Sequence, residues 1–362
     1  MSADPRPVCL VTGAVTPYRA EPFRMLAERE GLEVLAFRDP GAPQPGLTVH
    51  AVGQAEVARR VGSGAYRAVI AGLGGRRALP GAYAGARRAR VPFVLWASIW
   101  AHPRTPAHAL SYLPTRHLYR HADAVVTYGP HVSAYLARAR GRAGGVFEAP
   151  QAVSAERFGA PVPEPERLEA RRLLRSPEER LAALFVGRLE REKGVEVLLE
   201  AWRTGELAVL GTLSLVGDGP LGPAIDAAGA NVRRLGFLPP AALPPLYAAA
   251  DVLVLPSIRT ATFSEPWGLV ANEAMHQGTP VIASDAVGAV AGGLVRHGRN
   301  GLVAPQRDHA ALAALMRRMA ADPEQRTRLG AAAREDVAAF SFEAWVAGMR
   351  RALASVGVSR GA

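Results

Sequence analysis

Short apolar runs alternate with helix-length amphipathic stretches along the whole chain, and this rhythm predicts strands separated by helices. In the first half the runs are PVCLVTG, LEVLAF, LTVHAV, AVIAG, PFVLWAS and AVVTYG. In the second half they are AALFVG, TLSLVG, NVRRLGF, DVLVLPS, TPVIAS and GLVAP. Helices are expected over Ala20 to Glu30 and Pro106 to His121, then around Val195 to Trp202, Gly268 to Gln277 and Ala310 to Met319. Strands alternating with helices point to parallel sheets covered by helices, so each half reads as an open, doubly wound α/β sheet. Between the halves, APQAVSAERFGAPVPEPERLEARR is rich in Pro and Ala before it turns charged and helical, and is the expected linker. Two such domains on a hinge leave a cleft between the carboxyl ends of their sheets, where ligands bind.

Composition agrees with two globular domains. At 362 residues, 49% hydrophobic and 21% charged, the chain is too long for one ordinary core at ~150 residues per domain and too apolar for disorder. The longest apolar run, Val91 to Ala101, falls short of the ~20 residues that span a bilayer, and the start of the chain lacks an export pattern. One cysteine, Cys9 in an apolar run, reads as a buried inert thiol. A cytoplasmic protein is expected.

The net charge of +11 is unevenly placed. Residues 1–150 hold 19 Arg against 9 acidic residues, while the rest holds 24 basic against 23 acidic, so +10 of the excess lies in the first half. The pairs Arg59-Arg60, Arg76-Arg77 and Arg87-Arg88 lack the interleaved aromatics that stack bases, so no nucleic acid partner is expected. A solvated arginine-rich surface, peripheral contact with the inner face of a membrane, and an anionic acceptor all remain open.

The stretch FVGRLEREKGVEVLLEAW, residues 185–202, holds the sole lysine of the sequence. Lys is a mobile point charge where Arg is a planar fork. Gly187 allows close backbone approach at a strand's end, and Arg188 and Lys193 can converge there on an anion such as a diphosphate. Taken alone, Lys193 reads equally well as a surface residue.

A second stretch, PSIRTATFSEPWGLVANEAMHQGTPVIASDAVG, carries Glu265 and Glu273 with seven residues between them. Pro266 after an acidic residue predicts a helix start there, with Leu269, Asn272, Ala274 and Met275 on the helix. The amides at Trp267 to Val270 would form an anion site at its positive end. If both were helical, the two carboxylates would stand roughly 12 Å apart. Each could accept two hydroxyl hydrogen bonds, which suits a long ligand with a sugar at one end and a ribose at the other. Either Glu alone would serve as a dipole partner or a solvated helix face.

Together these stretches resemble glycosyltransferase family 4, the retaining enzymes of GT-B fold: two Rossmann-like doubly wound domains facing across a cleft. The resemblance covers about residues 145–340 and rests on APQAVSAERF, FVGRLEREKG, LVGDGPL, LGFLPPAALPPLYAAADVLVLPS, the Glu-x7-Glu segment and GRNGLVAP, in the family's order. It implies an acceptor-binding domain over 1–155, with the C-terminal helix of about 341–362 crossing back to it, and a nucleotide-sugar domain over 156–340. It also implies that Arg188 and Lys193 bind the diphosphate, Glu265 holds hydroxyls of the transferred sugar, and Glu273 holds the ribose. Gly187 and Gly217 would lie in the glycine-bearing loops, the backbone from Gly236 to Leu238 at the base, and Trp267, Gly268, Leu269 and Val270 at the distal phosphate. In the first half, Gly13 in TGAVTPYRAEPF is the nearest equivalent of the family's glycine loop, and His102 in WASIWAHPRT stands where a histidine hydrogen-bonds the sugar. Gln151 and Ser154 replace the family's Asn and Asp at the hinge.

The function this implies is transfer of a hexosyl group, with retention, from a UDP- or GDP-linked sugar to a hydroxyl of a glycan, glycolipid or secondary metabolite. Glu265 and Glu273 are too far apart to work as the paired carboxylates of retaining hydrolysis, which stand ~5 Å apart, so neither is assigned as nucleophile. The resemblance implies front-face attack instead. No Asp-x-Asp motif is present, so neither metal nor cofactor is expected. A sugar-nucleotide epimerase on a similar fold, acting without an acceptor, and a basic polyanion- or membrane-binding protein are the alternatives.

Overall fold

The computed structural model describes residues 4–102 and 105–360, with the side chains of 107–109 excepted. Pro103 and Arg104 of the WASIWAHPRT stretch, and the last two residues of the C-terminal segment, lie outside the described residues. The chain divides into two compact units: one runs to Gln151 and resumes at Phe342, and the other spans Ala152–Ser341.

The first unit is built on seven strands: β1 Val8–Ala14, β2 Leu32–Asp39, β3 Thr48–Ala51, β4 Ala68–Gly72, β5 Phe93–Ala97, β6 Ala124–Thr127 and β7 Val146–Glu148. All pair in parallel, in the order β3-β2-β1-β4-β5-β6-β7. Alternate residues of each strand feed two cores. Cys9, Val11, Leu35, Val69, Phe93 and Leu95 face one side, and Val8, Leu10, Val34, Ile70, Val94 and Trp96 the other. Burial on both faces is why these strands read as unbroken apolar runs. The strand β7 was not expected. Its three residues end in Glu148, too short a run to show a period.

The helix Phe342–Ser355 belongs to this unit. Trp345, Val346, Met349, Ala352 and Leu353 join the second of the two cores, where Trp345 packs on Phe23 and Trp96. Its end is held by Glu30, which is fully buried and accepts from Arg67, Arg350, Ser359 and the backbone of Arg360.

The second unit holds β8 Leu181–Val186, β9 Gly211–Val216, β10 Val232–Gly236, β11 Val252–Leu255, β12 Val281–Ser284 and β13 Gly301–Ala304. These six also pair in parallel, in the order β10-β9-β8-β11-β12-β13. Both sheets reverse their winding once, between β1 and β4 and between β8 and β11. Such a switch point is where loops diverge and a crevice opens at the carboxyl ends of the strands. Among the described residues no helix is long and apolar enough to cross a membrane.

Candidate functional site

In the second unit, every predicted site segment follows the carboxyl end of a strand. After β8 the chain passes Gly187 and Arg188, makes a single 3-10 turn over Arg191–Lys193, and enters the helix Val195–Thr204 through Gly194. Gly194 has φ +74°, and a Cβ there would lie 2.0 Å from the Pro256 carbonyl oxygen, so only glycine lets this turn press against the strand end beyond β11. The backbone N–H of Ile258 donates to the Glu192 carbonyl at 2.9 Å and fixes the same contact.

Lys193 points at the loop after β11. Its Nζ lies 2.5 Å from Glu265 Oε2 and 5.2 Å from the centre of the Phe263 ring. Ser257, two residues beyond β11 and fully buried, donates to the same carboxylate oxygen at 3.1 Å. Glu265 itself is 6% exposed. A nearly buried carboxylate is stable as an anion only with charge and hydrogen bonds around it, and the ammonium and the serine hydroxyl provide both.

Arg188 takes a different place from the one the sequence suggests. It is exposed and forms ion pairs with Glu190 and Glu192 on its own loop. The structure thus gives each of the two predicted cations its own carboxylate rather than joining them on one centre.

The helix after Glu265 lies within one residue of the expected Gly268 to Gln277, and not at the Pro266 start signal. It runs Leu269–His276 with Gly268 as its N-cap, so Pro266 stands outside the first turn and Glu265 is not helical at all. The 12 Å estimate for two helical carboxylates therefore does not apply. The amides at the helix start are those of Leu269 and Val270. The Ala271 N–H is already turned onto the Gly268 carbonyl at 2.9 Å. Trp267 precedes the helix, is 2% exposed, and donates its indole N–H to Asn272 at 2.7 Å. Its side chain is a core residue that anchors the helix start, and its backbone amide is not part of the helix end. Local propensity could not place this boundary, because the stop is set by the packing of Trp267.

Glu273 lies one turn into the helix and is half-buried. Burial pushes its carboxyl up to about 7, opposed by the hydrogen bond that Tyr247 donates at 2.6 Å. Tyr247 is fully buried, and its own hydroxyl is pushed far above the ordinary range by burial first and by Glu273 beside it, so it stays a donor. Neither Tyr247 nor Ser257 was singled out from the sequence. Ser257 carried a signal in its place at the end of the apolar run DVLVLPS, and Tyr247, on a separate helix, carried none.

The remaining glycine loops are bound to one another. A Cβ on Gly217, after β9, would lie 1.9 Å from the Gly187 carbonyl oxygen. The Leu189 N–H donates to Asp218, and the Gly217 N–H to the Gly236 carbonyl. Leu238, just after β10, is half-buried beside Phe237, which is 70% exposed.

In the first unit, Gly13 sits at a register shift near the end of β1, where a Cβ would make only an ordinary contact at 3.6 Å with Phe37. Nothing in the fold requires glycine there. His102, half-buried, packs edge-on against Tyr112 with ring centres 4.9 Å apart. Gln151 accepts from Arg19 at 3.2 Å, and Ser154 caps the helix Ala155–Gly159 by accepting from the Arg157 N–H.

Comparison with known proteins places this geometry. Residues 166–336 match the family described as glycosyl transferases, group 1. D-inositol 3-phosphate glycosyltransferases are similar: that of Salinispora arenicola is 35% identical over 196 residues, covering 50% of this chain and 42% of its own. That of Geodermatophilus obscurus is 38% identical over 197 residues, covering 49% and 41%. The chain therefore spans less than half the length of these curated relatives. Among solved structures, Anabaena HepE in complex with UDP superposes with a TM-score of 0.78 at 22% identity, covering 96% of this chain and all of that one. The same protein in complex with UDP-glucose gives 0.76 at 21%, covering 97% and 100%. At that identity the likeness establishes the GT-B fold. Residues 166–336, less than half of the chain, thus resemble the group 1 glycosyl transferases, and the likeness of the chain to the solved structures is one of fold.

Proposed function

We propose that the second unit binds a nucleoside diphosphate sugar at the carboxyl edge of its sheet, and that the chain transfers the hexosyl group to an acceptor hydroxyl with retention of anomeric configuration. The observation that carries this reading is the Lys193–Glu265 pair beside the switch point of β8 and β11, inside the segment that matches the family. An ammonium held by a carboxylate is a site that a pyrophosphate oxygen and a sugar hydroxyl can enter together. The phosphate replaces part of Glu265's hold on Nζ, and the freed carboxylate oxygen accepts from the sugar.

In this reading Arg188 swings from its exposed glutamate partners onto the diphosphate. Leu269 and Val270 offer helix-start amides to the distal phosphate. Ionised Glu273 accepts from the ribose hydroxyls, and backbone around Leu238 lies beside the base. The bond from the anomeric carbon to the phosphate oxygen breaks while the acceptor oxygen bonds to that carbon on the same face. The acceptor's proton passes to the leaving phosphate oxygen. Lys193 and Arg188 stabilise the negative charge that grows there, so this reading asks for no metal. UDP, present in the HepE complex, is the nucleotide we favour over GDP. Acceptors named for the curated relatives, inositol phosphates, join glycans, glycolipids and secondary metabolites as the classes to try.

The deciding experiment incubates the protein with UDP- and GDP-hexoses and an acceptor panel, and reads nucleotide release together with the anomeric proton coupling of the product. Release that depends on acceptor, with the donor's anomeric configuration kept, is expected. Sugar isomerisation without acceptor, or an inverted product, would reject the reading.

A further inference from the structure

We infer that Tyr247 is a positioning and specificity-determining residue: by holding one oxygen of Glu273 it presents the carboxylate to a vicinal diol, and so selects ribose over 2′-deoxyribose. The inference rests on the proposed reading of Glu273 as the ribose acceptor, and adds to it a residue and a basis for discrimination.

The two carboxylates of the Glu-x7-Glu segment each receive a buried hydroxyl from elsewhere in the fold. Ser257 donates to Glu265, and Tyr247, on the helix Leu243–Ala249, donates to Glu273 Oε2 at 2.6 Å. They differ in charge. Glu265 also meets the Lys193 ammonium, whereas at Glu273 burial raises the carboxyl and the Tyr247 hydrogen bond opposes it. Other titratable groups on or against the helix Leu269–His276 are engaged elsewhere. His276 feels the charge of Arg334, which itself donates to the Gln277 carbonyl at 2.9 Å, and Glu156 and Arg157 of the helix Ala155–Gly159 are exposed. The state and direction of the Glu273 carboxylate therefore turn on one phenol.

Tyr247 is held fast. It is fully buried, its ring lies 6.5 Å from that of Phe158, and its carbonyl accepts from Thr279 Oγ1 at 2.6 Å. Packing would be met by a phenylalanine of the same shape. The hydroxyl adds only its bond, and the partner is the carboxylate proposed for the ribose.

A carboxylate offers about four lone-pair sites, and its last torsion is loosely held. Tyr247 fills one site and fixes that torsion. Oε1 and the second lone pair of Oε2 remain, which suits the two adjacent hydroxyls of a ribose. A 2′-deoxyribose supplies one hydroxyl and leaves part of the carboxylate unpaired, and that deficit is what penalises it.

The test measures UDP, GDP and their 2′-deoxy forms by calorimetry at pH 6 and pH 8, on the wild type, Tyr247→Phe and Glu273→Gln. The Glu273 carboxyl is followed by carbon NMR without nucleotide, with Glu273→Gln to assign its signal. The wild type should prefer the ribonucleotide by at least about tenfold at pH 8, the scale of one hydrogen bond to a charged group. Tyr247→Phe should reduce that preference severalfold, raise the Glu273 titration, and move the acid loss of donor affinity to higher pH. A residue that only packs would move none of the three. Equal binding of the two sugars by the wild type overturns the inference without any variant. So does a Tyr247→Phe chain that loses affinity for both sugars by one factor at either pH, with the titration unmoved. Absence of all nucleotide binding by the wild type rejects the donor reading and the sugar selection with it, and the ligand-free titration tells that failure from a failure of Tyr247 alone.

Discussion

Lys193 Nζ stands 2.5 Å from Glu265 Oε2, so the sole ammonium side chain of the sequence and the first carboxylate of the Glu-x7-Glu segment are bonded partners across 72 residues of chain. Glu265 is therefore held by the same cation that the proposed transfer uses. Removing Lys193 should act on stability and on turnover through different physics. Lys193→Ala leaves a nearly buried carboxylate without its counter-charge, which should lower stability by on the order of 3 kcal/mol. It should also cut turnover by about 10²–10³-fold, the scale of losing one preorganised charge stabiliser. Adding Glu265→Gln should restore most of the thermal midpoint and none of the turnover. Near-normal rates in the single variant would remove Lys193 from the mechanism.

Arg188 offers the contrasting case. It is exposed and paired only with Glu190 and Glu192 on its own loop. Arg188→Ala should cost less than about 1 kcal/mol in urea unfolding, as surface pairs do. Turnover should nonetheless fall sharply if the side chain moves onto the diphosphate. Unchanged turnover would leave Arg188 as a surface residue.

Glu273 should make donor binding depend on pH. Burial holds its proton up to about 7, against an ordinary value of 4.5. If Glu273 holds the ribose as proposed, the ionised carboxylate is the stronger acceptor, so donor affinity should fall by up to about tenfold per unit as pH drops below 7. Glu273→Gln should bind more weakly at pH 8 and show no such slope. Stability runs the other way. With the folded value raised, the native state is favoured below the ordinary carboxyl range and loses stability as pH climbs toward 7. Glu273→Gln should thus match the wild type near pH 4 and exceed it above pH 7, as read by thermal midpoints.

Gly194 should tolerate no side chain. At φ +74°, with a Cβ 2.0 Å from the Pro256 oxygen, Gly194→Ala must push the 3-10 turn away from the loop after β11. A loss of more than about 1 kcal/mol is expected from the backbone conformation alone, with more from the clash. Because the shift carries Lys193 with it, UDP affinity measured by calorimetry should fall as well. A variant with wild-type stability and affinity would show that this approach is not needed.

Glu30 should control the acid limit of the first unit. Burial alone would raise its carboxyl, but the hydrogen bonds from Arg350, Arg360 N–H and Ser359, and the Arg350 charge, outweigh it and hold the value below the ordinary range. A lowered value means stability that is fully present above that range and is lost as pH falls through the folded-state value. Glu30→Gln also strands the buried Arg67 guanidinium, so a loss of about 3–5 kcal/mol at pH 7 is expected. The difference should begin to shrink once pH falls below the ordinary carboxyl range, as the unfolded chain takes up the proton, and close only where the folded carboxyl is protonated too. Parallel urea curves at pH 7 and pH 3.5 would check both points.

Much of this architecture was legible in the primary structure because parallel strands buried on two faces write themselves as apolar runs. Twelve runs marked twelve of the thirteen strands, and only the three-residue β7 escaped. Gly187 and the acidic pair at 265 and 273 were visible as spacing, and Gly217 through the family resemblance. Ser257 and Tyr247 were less so, since what makes them matter is a neighbour far along the chain. The apolar rhythm put the helix at Gly268 to Gln277, within one residue of its place, whereas the local start signal at Pro266 pointed too early: Trp267 is buried ahead of the helix and bonded to Asn272.

Sequence alone thus determined the strand and helix rhythm, the chain's sorting into two α/β halves, and the residue types delivered to the strand ends. Hydrophobic periodicity and turn chemistry act over a few residues and need no partner. Tertiary structure decided which charges meet. It gave Lys193 to Glu265 and Arg188 to Glu190 and Glu192, Glu273 to Tyr247, and Glu30 to the end of the helix Phe342–Ser355, and it stacked Arg19 on Trp96 with no carboxylate within 4 Å among the described residues. Pairings of that kind depend on which strands lie side by side, and strand order is fixed only when the whole sheet is assembled.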